Sequence, residues 1–303
     1  MGWQFGADVA ARRTSGWVMN GQPTNTERLN HLAGWSAFAG LLFGLVMQAP
    51  ARWLSEAVAT ATQQRVLLLN PQGTVWQGSA EWALSDGQHT LATAKDTSAH
   101  KNLTLPTRLA SRVQWQIGPS IDFQNFAVGL KLELQSACCT PSPLQIFATP
   151  TWQGLQVRSQ AHTSEWPAVW LVGLGAPWNT LQAEGQMQLR TQGLQWQQPW
   201  SLAHAQPKLT GDIELQWLQF STRLSTLRPL GSYRVVVKGG DTMQVKLDTL
   251  EGSLQLQGQG EWLQGRLRFR GEAKAQTDAE AAVSNLLNVL GQRRGNVSFI
   301  ELG

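Results

Sequence analysis

The chain has 303 residues, a formal net charge of +4 and only 15% charged residues, which is below the ~25% typical of soluble domains. This length is sufficient for one large β domain or two small domains. The 24 Lys and Arg residues are dispersed along the chain, whereas nucleic-acid binders collect them into patches, so nucleic-acid binding is disfavoured.

The first strong signal is an uncharged stretch, residues 29–51, which lies between Arg28 and Arg52. A helix needs ~20 apolar residues to span the hydrocarbon core of a bilayer, and this stretch predicts a single transmembrane anchor. Arginines before the stretch favour a cytoplasmic N-terminal arm, residues 1–28. A cleaved signal peptide and a buried helix are the alternatives. The anchor and the signal peptide both place everything after Arg52 outside the cytoplasm.

Residues 52–64 are good helix formers and predict a helical connector that continues the anchor. From there to the end, apolar and polar residues alternate between turn-forming residues, as they do from Val128 to Leu134. One apolar face per strand predicts a mainly β domain with a large antiparallel sheet. A break near the middle predicts two similar lobes, residues 65–172 and 173–303.

Two short helices interrupt the predicted strands. The first covers residues 164–174, with Ser164 as its N-cap. The second covers residues 277–290, where Thr277 and Glu280 predict a capping box and Gly291 a left-handed stop. Its apolar residues form one stripe, which must pack on the sheet or on a partner: Val283, Leu286, Leu287 and Leu290.

The sequence contains no recognisable catalytic, cofactor-binding or metal-binding pattern. The histidines are isolated from one another along the chain: His31, His89, His100, His162 and His204. Acidic residues mostly alternate with apolar residues, which is typical of a solvated sheet face and not of acid–base chemistry. We therefore expect a protein that is not an enzyme and that binds no cofactor or metal.

The only two cysteines, Cys138 and Cys139, are adjacent. A vicinal disulfide, two thiols in a turn and a bridge to another chain all remain open, although adjacent Cα atoms lie closer than in most disulfides. The interpretation we favour is a tight turn between the strands that contain Leu130 and Leu144.

Tryptophans and basic residues supply the candidate surfaces. Tryptophans on apolar strand faces, such as Trp196, are expected in the core. Three others lie near Pro or Gly in predicted loops, where exposed rings are candidates for a partner surface: Trp152, Trp178 and Trp200. A basic stripe on one strand predicts solvated surface, or a face for lipid headgroups or an acidic partner: Arg266, Arg268, Arg270 and Lys274.

Four segments, taken in order, resemble the type II secretion system protein N family. They are Ala-Pro-Ala-Arg-Trp-Leu at 49–54, Gly-Thr-Val-Trp-Gln-Gly at 73–78, Gly-Leu-Gly-Ala-Pro-Trp-Asn-Thr-Leu at 173–181, and the C-terminal helix and strand at 286–302. The resemblance implies a component of the inner membrane of a Gram-negative bacterium that faces the periplasm. It also implies no catalytic residues, a role in exporting folded proteins across the outer membrane, and other secretion platform proteins as partners.

The β-rich body also looks like AsmA-type envelope proteins. That likeness implies a curved sheet with an apolar concave face, and an alternative function in which lipid or another amphiphile binds in an apolar groove. A groove that continues along the sheet would favour the alternative. A filled core with exposed loop tryptophans would favour the secretion function.

Overall fold

The computed structural model describes residues 38–87, 106–122, 127–200, 208–263 and 266–303. The chain divides into two compact units, residues 1–47 and residues 48–303. In the first unit, residues 38–47 form helix α1. The predicted arm and residues 29–37 of the predicted anchor lie outside the described residues. Within the described ranges, each helix is too short or too polar to cross a membrane.

The second unit begins with a break in the helical backbone. Residues 48–50 are not helical, and helix α2 starts afresh at Ala51–Ala61. Pro50 accounts for the break, because proline lacks the N–H that a continuous helix needs and disfavours helical geometry in the residue before it. The prediction that the connector continues the anchor helix is therefore wrong, although a helix does cover most of residues 52–64.

The described part of residues 48–303 forms one antiparallel sheet of fifteen strands. The strands are β1 (Val66–Gly73), β2 (Gln77–Leu84), β3 (Thr107–Asp122), β4 (Ala127–Ser136), β5 (Leu144–Pro150), β6 (Gly154–Ser159), β7 (His162–Pro167), β8 (Glu184–Pro199), β9 (Lys208–Ser221), β10 (Gly231–Lys238), β11 (Met243–Gly252), β12 (Leu254–Leu263), β13 (Arg266–Ala275), β14 (Gln292–Arg294) and β15 (Val297–Leu302). The prediction of a mainly β fold with a large antiparallel sheet is confirmed.

The order of strands in the sheet nearly follows the chain. It is β1-β2-β3-β4-β5-β6-β8-β9-β10-β11-β12-β13-β15-β14, with β7 pairing on β8 beside this path. Because β6 pairs with β8, the sheet is continuous across the middle of the chain. The division into lobes at residues 172 and 173 stays a prediction.

Strand pairing shows which side chains share a face of the sheet. Leu130, Ala148, Val157 and Trp196 are successive partners across β4, β5, β6 and β8, so all four lie on one side. We call this side the apolar face and the other side the polar face.

Helices cover the apolar face at one end of the sheet, which we call the helical end. Helix α2 packs over a buried cluster of Ala51, Leu68, Ala80 and Trp115. A 3-10 helix, Ala168–Leu174, lies beside a second cluster of Leu109, Val113 and Cys139. The short helix α3, Trp178–Leu181, comes next, and helix α4, Glu280–Leu290, packs its apolar residues into a third cluster with strands β12 and β13.

The prediction of a helix at residues 164–174 is wrong for the first four residues, which lie on a strand. Ser164 lies on β7, where its Oγ accepts a hydrogen bond from Trp166 Nε1 at 2.8 Å, and helical geometry begins only at Ala168. Pro167 explains the shift, because the residue before a proline is held in extended geometry.

Helix α4 has the predicted stripe but not the predicted ends. Val283, Leu286 and Leu287 are buried, and Leu290 packs beside them, so the stripe packs on the sheet. The N-cap is Ala279 without any side-chain hydrogen bond, so the capping box at Thr277 and Glu280 is wrong. Gly291 has φ 177°, which is extended and not left-handed, because the chain passes directly into β14.

The cysteines lie in the predicted turn between β4 and β5, and their sulfurs are bonded to each other. Cys139 is buried in the second cluster, whereas Cys138 is exposed. The turn is held by hydrogen bonds from Cys138 N to Ser111 Oγ at 3.1 Å and from Glu165 N to the Cys139 carbonyl at 2.7 Å. Of the three open alternatives, the structure has the vicinal disulfide.

His162 makes the stability of the sheet depend on pH. Burial lowers the pKa of His162 below its ordinary 6.5, and its Nε2 has no hydrogen-bond partner among the described residues. The unfolded chain then takes up a proton more readily than the folded chain, so stability should fall as the pH drops from about 6.5 through the lowered pKa. Urea midpoints of His162→Gln should fall less over that range than those of the parent chain. Parallel pH profiles for the two proteins would contradict this prediction.

Candidate functional site: the open end of the sheet

The apolar face is left exposed at the other end of the sheet, away from α2, the 3-10 helix, α3 and α4. We call this end the open end. Here β3 ends and β4 begins, and the β5–β6 turn and the end of β8 lie beside them. Large apolar side chains of this face remain exposed: Ile121 (60%), Val128 (66%), Leu130 (47%), Trp196 (36%), Trp262 (45%) and Leu302 (55%). We call these six residues the apolar strip.

The apolar strip lies on one side of the sheet. Ile121 pairs with Val128, and Leu130 connects through β5 and β6 to Trp196. Leu302 is paired with Phe269, which belongs to the same face as Trp262. From β3 to β15 the strip crosses eleven neighbouring strands, or about 50 Å at a spacing of about 4.8 Å.

Two of the three predicted surface tryptophans lie together at the open end. Trp152 is in the β5–β6 turn and is 88% exposed, and Trp200, directly after β8, is 56% exposed. The Trp200 backbone N–H donates to the Gln153 carbonyl at 3.3 Å, and its Nε1 donates to the Thr151 carbonyl at 2.7 Å. The two tryptophans therefore belong to one tip of the sheet.

Trp178 does not belong to this tip. It begins α3 at the helical end, is half-buried, and packs its ring 6.1 Å from that of Trp217. The fold thus divides the predicted set of three loop tryptophans, and the role of the set in partner binding stays a prediction.

Sequence reasoning missed the part of the surface that is built from strand residues. Trp196 was expected in the core. It does lie on the apolar face, but the helices that cover this face do not reach it, and it remains exposed. Trp115, further from the strand end on β3, is only 4% exposed, as expected for a tryptophan on an apolar strand face. The available signal was distance from the strand end: Trp196 and Trp262 lie within four residues of a loop.

Hollows lie on the polar face of the described sheet. One, of about 800 Å³, spans β10 to β15 and is lined by charges of both signs: Arg234, Lys238, Lys246, Asp248, Glu261, Arg268, Arg270 and Glu301. A second, of about 400 Å³, lies among the glutamines of β2, β3 and β4. The first hollow is also lined by apolar side chains, among them Val236, Val245, Phe269 and Leu302, so these hollows mix charged, polar and apolar groups and are not the wholly apolar face that the likeness to AsmA-type proteins implies.

Charges on the polar face largely compensate one another. Asp248 lies 3.0 Å from Lys246 and 3.9 Å from Arg234, measured between nitrogen and oxygen. The predicted basic stripe is exposed on β13, with Glu272 between Arg270 and Lys274. Among the described residues, no group of three or more His, Cys, Asp or Glu side chains is placed to hold a metal ion.

A model of the type II secretion system protein N family matches residues 64–299. The chain belongs to this family. The match begins two residues before β1 and ends within β15, so membership in the protein N family rests on all of the described sheet except the last three residues of β15. It makes the chain a type II secretion component and implies association with other components of that system. No curated protein and no solved structure matches the chain.

Proposed function

We propose that this protein N family member is a non-enzymatic inner-membrane component that faces the periplasm and supports export of folded proteins across the outer membrane. Residues 29–51 anchor it, residues 1–28 lie in the cytoplasm, and residues 52–303 lie in the periplasm. The observation that carries the proposal is the uncharged stretch at 29–51. Its described part is helical and exposes apolar side chains, with Leu41 and Phe43 both 63% exposed.

Two further observations support the proposal. The disulfide between Cys138 and Cys139 fits an oxidising compartment such as the periplasm. The charged side chains of the polar face, such as Asp248, pair with neighbouring charges, as in a solvated surface. That arrangement supports a binding role over acid–base catalysis.

The contact surface in this proposal is the tip that carries Trp152 and Trp200. Exposed aromatic rings without charged neighbours are typical of surfaces that become covered by a partner. The filled core beneath the helices, together with these exposed tryptophans, favours the secretion function over the alternative.

The alternative, an AsmA-like protein that binds lipid or another amphiphile, is favoured by one observation. The apolar strip crosses eleven strands, which provides a long apolar surface. The charged side chains that line the hollow on β10 to β15 argue against a groove there that encloses an apolar ligand.

Topology tests the proposal directly. Alkaline phosphatase, which is active only outside the cytoplasm, should be active when fused after Gly303 and inactive when fused after Gln22. Extraction with alkaline carbonate should leave the full chain in the membrane, because an apolar span of this length inserts stably. The reverse activities, or a mature chain that begins near Arg52, would reject the anchored topology.

A further inference from the structure

The turn that contains the two cysteines contacts strands on both of its sides at the helical end of the sheet. It connects β4 to β5, and Cys138 N donates to Ser111 Oγ on β3 at 3.1 Å. On its other side, the Cys139 carbonyl accepts from Glu165 N on β7 at 2.7 Å. A change in the backbone of the two cysteines would therefore reach both β3 and β7.

Strand β7 depends on this turn for the contact at its second edge. In the described sheet β7 pairs with β8 alone. On the opposite edge, the turn provides a hydrogen bond, which runs from Glu165 N to the Cys139 carbonyl. The chain then passes directly from Pro167 into the 3-10 helix Ala168–Leu174, so the position of this helix follows that of β7.

The Cys139 side chain connects the disulfide to the same helix. Cys139 is 1% exposed and lies in the cluster with Leu109 and Val113. Trp166 from β7 and Trp170 from the 3-10 helix pack against this cluster, and their ring centroids are 5.5 Å apart. The carbonyl and the side chain of Cys139 thus both hold β7 and the 3-10 helix on the sheet.

The disulfide has the features of a bridge that is open to exchange. Cys138 is exposed, and Ser136 Oγ lies 3.4 Å from its sulfur, where the hydroxyl can donate to a thiolate. Because the cysteines are adjacent, their Cα atoms are only 3.7 Å apart, and bridges below the usual range of about 4.4–6.8 Å are more easily reduced. Closing so short a loop also removes little entropy from the unfolded chain. Exposed or constrained disulfides are the labile, regulatory or catalytic ones.

We propose that Cys138 and Cys139 form a reversible redox site whose partner is a protein dithiol that exchanges disulfides. The oxidised site holds the Cys139 carbonyl towards Glu165 N, because the closed ring restricts the backbone torsions of both cysteines. In the reduced site the ring is open and Cys138 can rotate, so the hydrogen bond to β7 opens more often. The state of the two sulfurs therefore sets how firmly β7 and the 3-10 helix are held on the sheet.

Reduction of the site follows ordinary thiol–disulfide exchange. A thiolate of the partner attacks Cys138 Sγ, the bond between the two sulfurs breaks, and Cys139 leaves as a thiolate that takes up a proton. The partner's second thiol then loses its proton and attacks the partner's own sulfur in the mixed disulfide, and Cys138 leaves in the same way. The partner ends as a disulfide, the chain gains two thiols, and two electrons have passed to the chain. Oxidation of the site reverses these steps.

Amide hydrogen exchange of the full chain in detergent tests the proposal, with dithiothreitol as the dithiol. Mass spectrometry should find two free thiols after treatment of the folded chain in the absence of urea. Exchange in the peptide 162–174 should then become about tenfold faster, because local opening no longer has to break a fixed hydrogen bond at Glu165. Exchange in β11 and β12, which are several strands away from the turn, should not change.

Cys138→Ser is the matched variant for this experiment. It opens the ring and keeps the buried Cys139 side chain in its cluster, so the fold should be preserved. The variant should exchange in the peptide 162–174 as fast as the reduced parent chain, and dithiothreitol should not change its exchange further.

Three outcomes would overturn the proposal. A disulfide that dithiothreitol opens only after urea has unfolded the chain is a structural bridge and not a redox site. Equal exchange in the peptide 162–174 before and after reduction would reject the link between the sulfurs and β7. Exchange that becomes faster in β11 and β12 by the same factor would show a general loss of stability and would reject a local effect on β7.

Discussion

Replacing Leu286 and Leu287 together by alanine is expected to lower the free energy of unfolding by about 4 kcal/mol or more, since each large-to-small change in a packed core costs roughly 2–5 kcal/mol. The two side chains are 1% and 0% exposed and pack with Ala273 and Leu254 on the apolar face. Total stability of a domain is commonly about 5–15 kcal/mol, so the loss should move the urea midpoint of the full chain in detergent far downward.

Val289→Ala is the matched control for the double variant. Val289 lies on the same helix but is 53% exposed, so its truncation should change stability by no more than about 0.5 kcal/mol. Unfolding is monitored by tryptophan fluorescence. If Leu286→Ala/Leu287→Ala and Val289→Ala unfold at the same urea concentration, α4 does not seal the sheet.

Gly173→Ala is expected to cost about 1–3 kcal/mol, the usual range for overpacking a tight contact. Gly173 lies in the 3-10 helix where it touches β2 and β3, and an added Cβ would overlap the Leu84 carbonyl and lie 2.9 Å from Thr107 N. Both neighbours are backbone atoms that are fixed by strand pairing, so neither can move away cheaply. This contact gives a physical reason for the first glycine of the Gly-Leu-Gly-Ala-Pro-Trp segment.

Gly118→Ala provides the comparison for Gly173→Ala. Gly118 lies on β3, and no described atom comes within 4 Å of its added Cβ. Alanine there should be neutral or stabilising. It lowers the conformational entropy of the unfolded chain, which raises the free energy of unfolding by up to about 1 kcal/mol. Equal stabilities of the two variants, measured by urea titration, would show that the 3-10 helix does not press on the sheet.

Local patterns in the sequence predicted the strands and their faces. Alternation around Leu130 and Leu132 identified a strand with one apolar side, because side chains of a strand alternate strictly between the two faces. The stripe of α4 was predictable for the same reason, since its apolar residues recur at helical spacing.

Helix ends were less predictable, because they depend on the strands and turns that adjoin each helix in the fold. Ser164 has the residue type of an N-cap, but strand pairing with Leu189 and the adjoining Trp166-Pro167 hold it in β7. Thr277 and Glu280 have the spacing of a capping box, but the helix begins only after Ala279.

The exposure of the open end could not be predicted from the alternation of apolar and polar residues alone. Trp115 and Trp196 both lie at apolar positions of a strand in the sequence, yet Trp115 is buried and Trp196 is exposed. The difference comes from α2, which is more than fifty residues away in the chain and covers only the first of them. Exposure on a sheet face is set by which distant elements pack over it, and single-sequence periodicity carries no information about that.

The strand order has a consequence for how the chain acquires its structure. Because nearly every strand pairs with one of its nearest neighbours in sequence, most hairpins close over a short connection, which favours rapid folding. A polypeptide that folds from its N-terminus can therefore add strands one at a time, each on the edge formed by the strand before it. Every intermediate presents its newest strand as a free edge to other chains. In the finished sheet the three-residue β14 lies at that edge and β1 lies at the other.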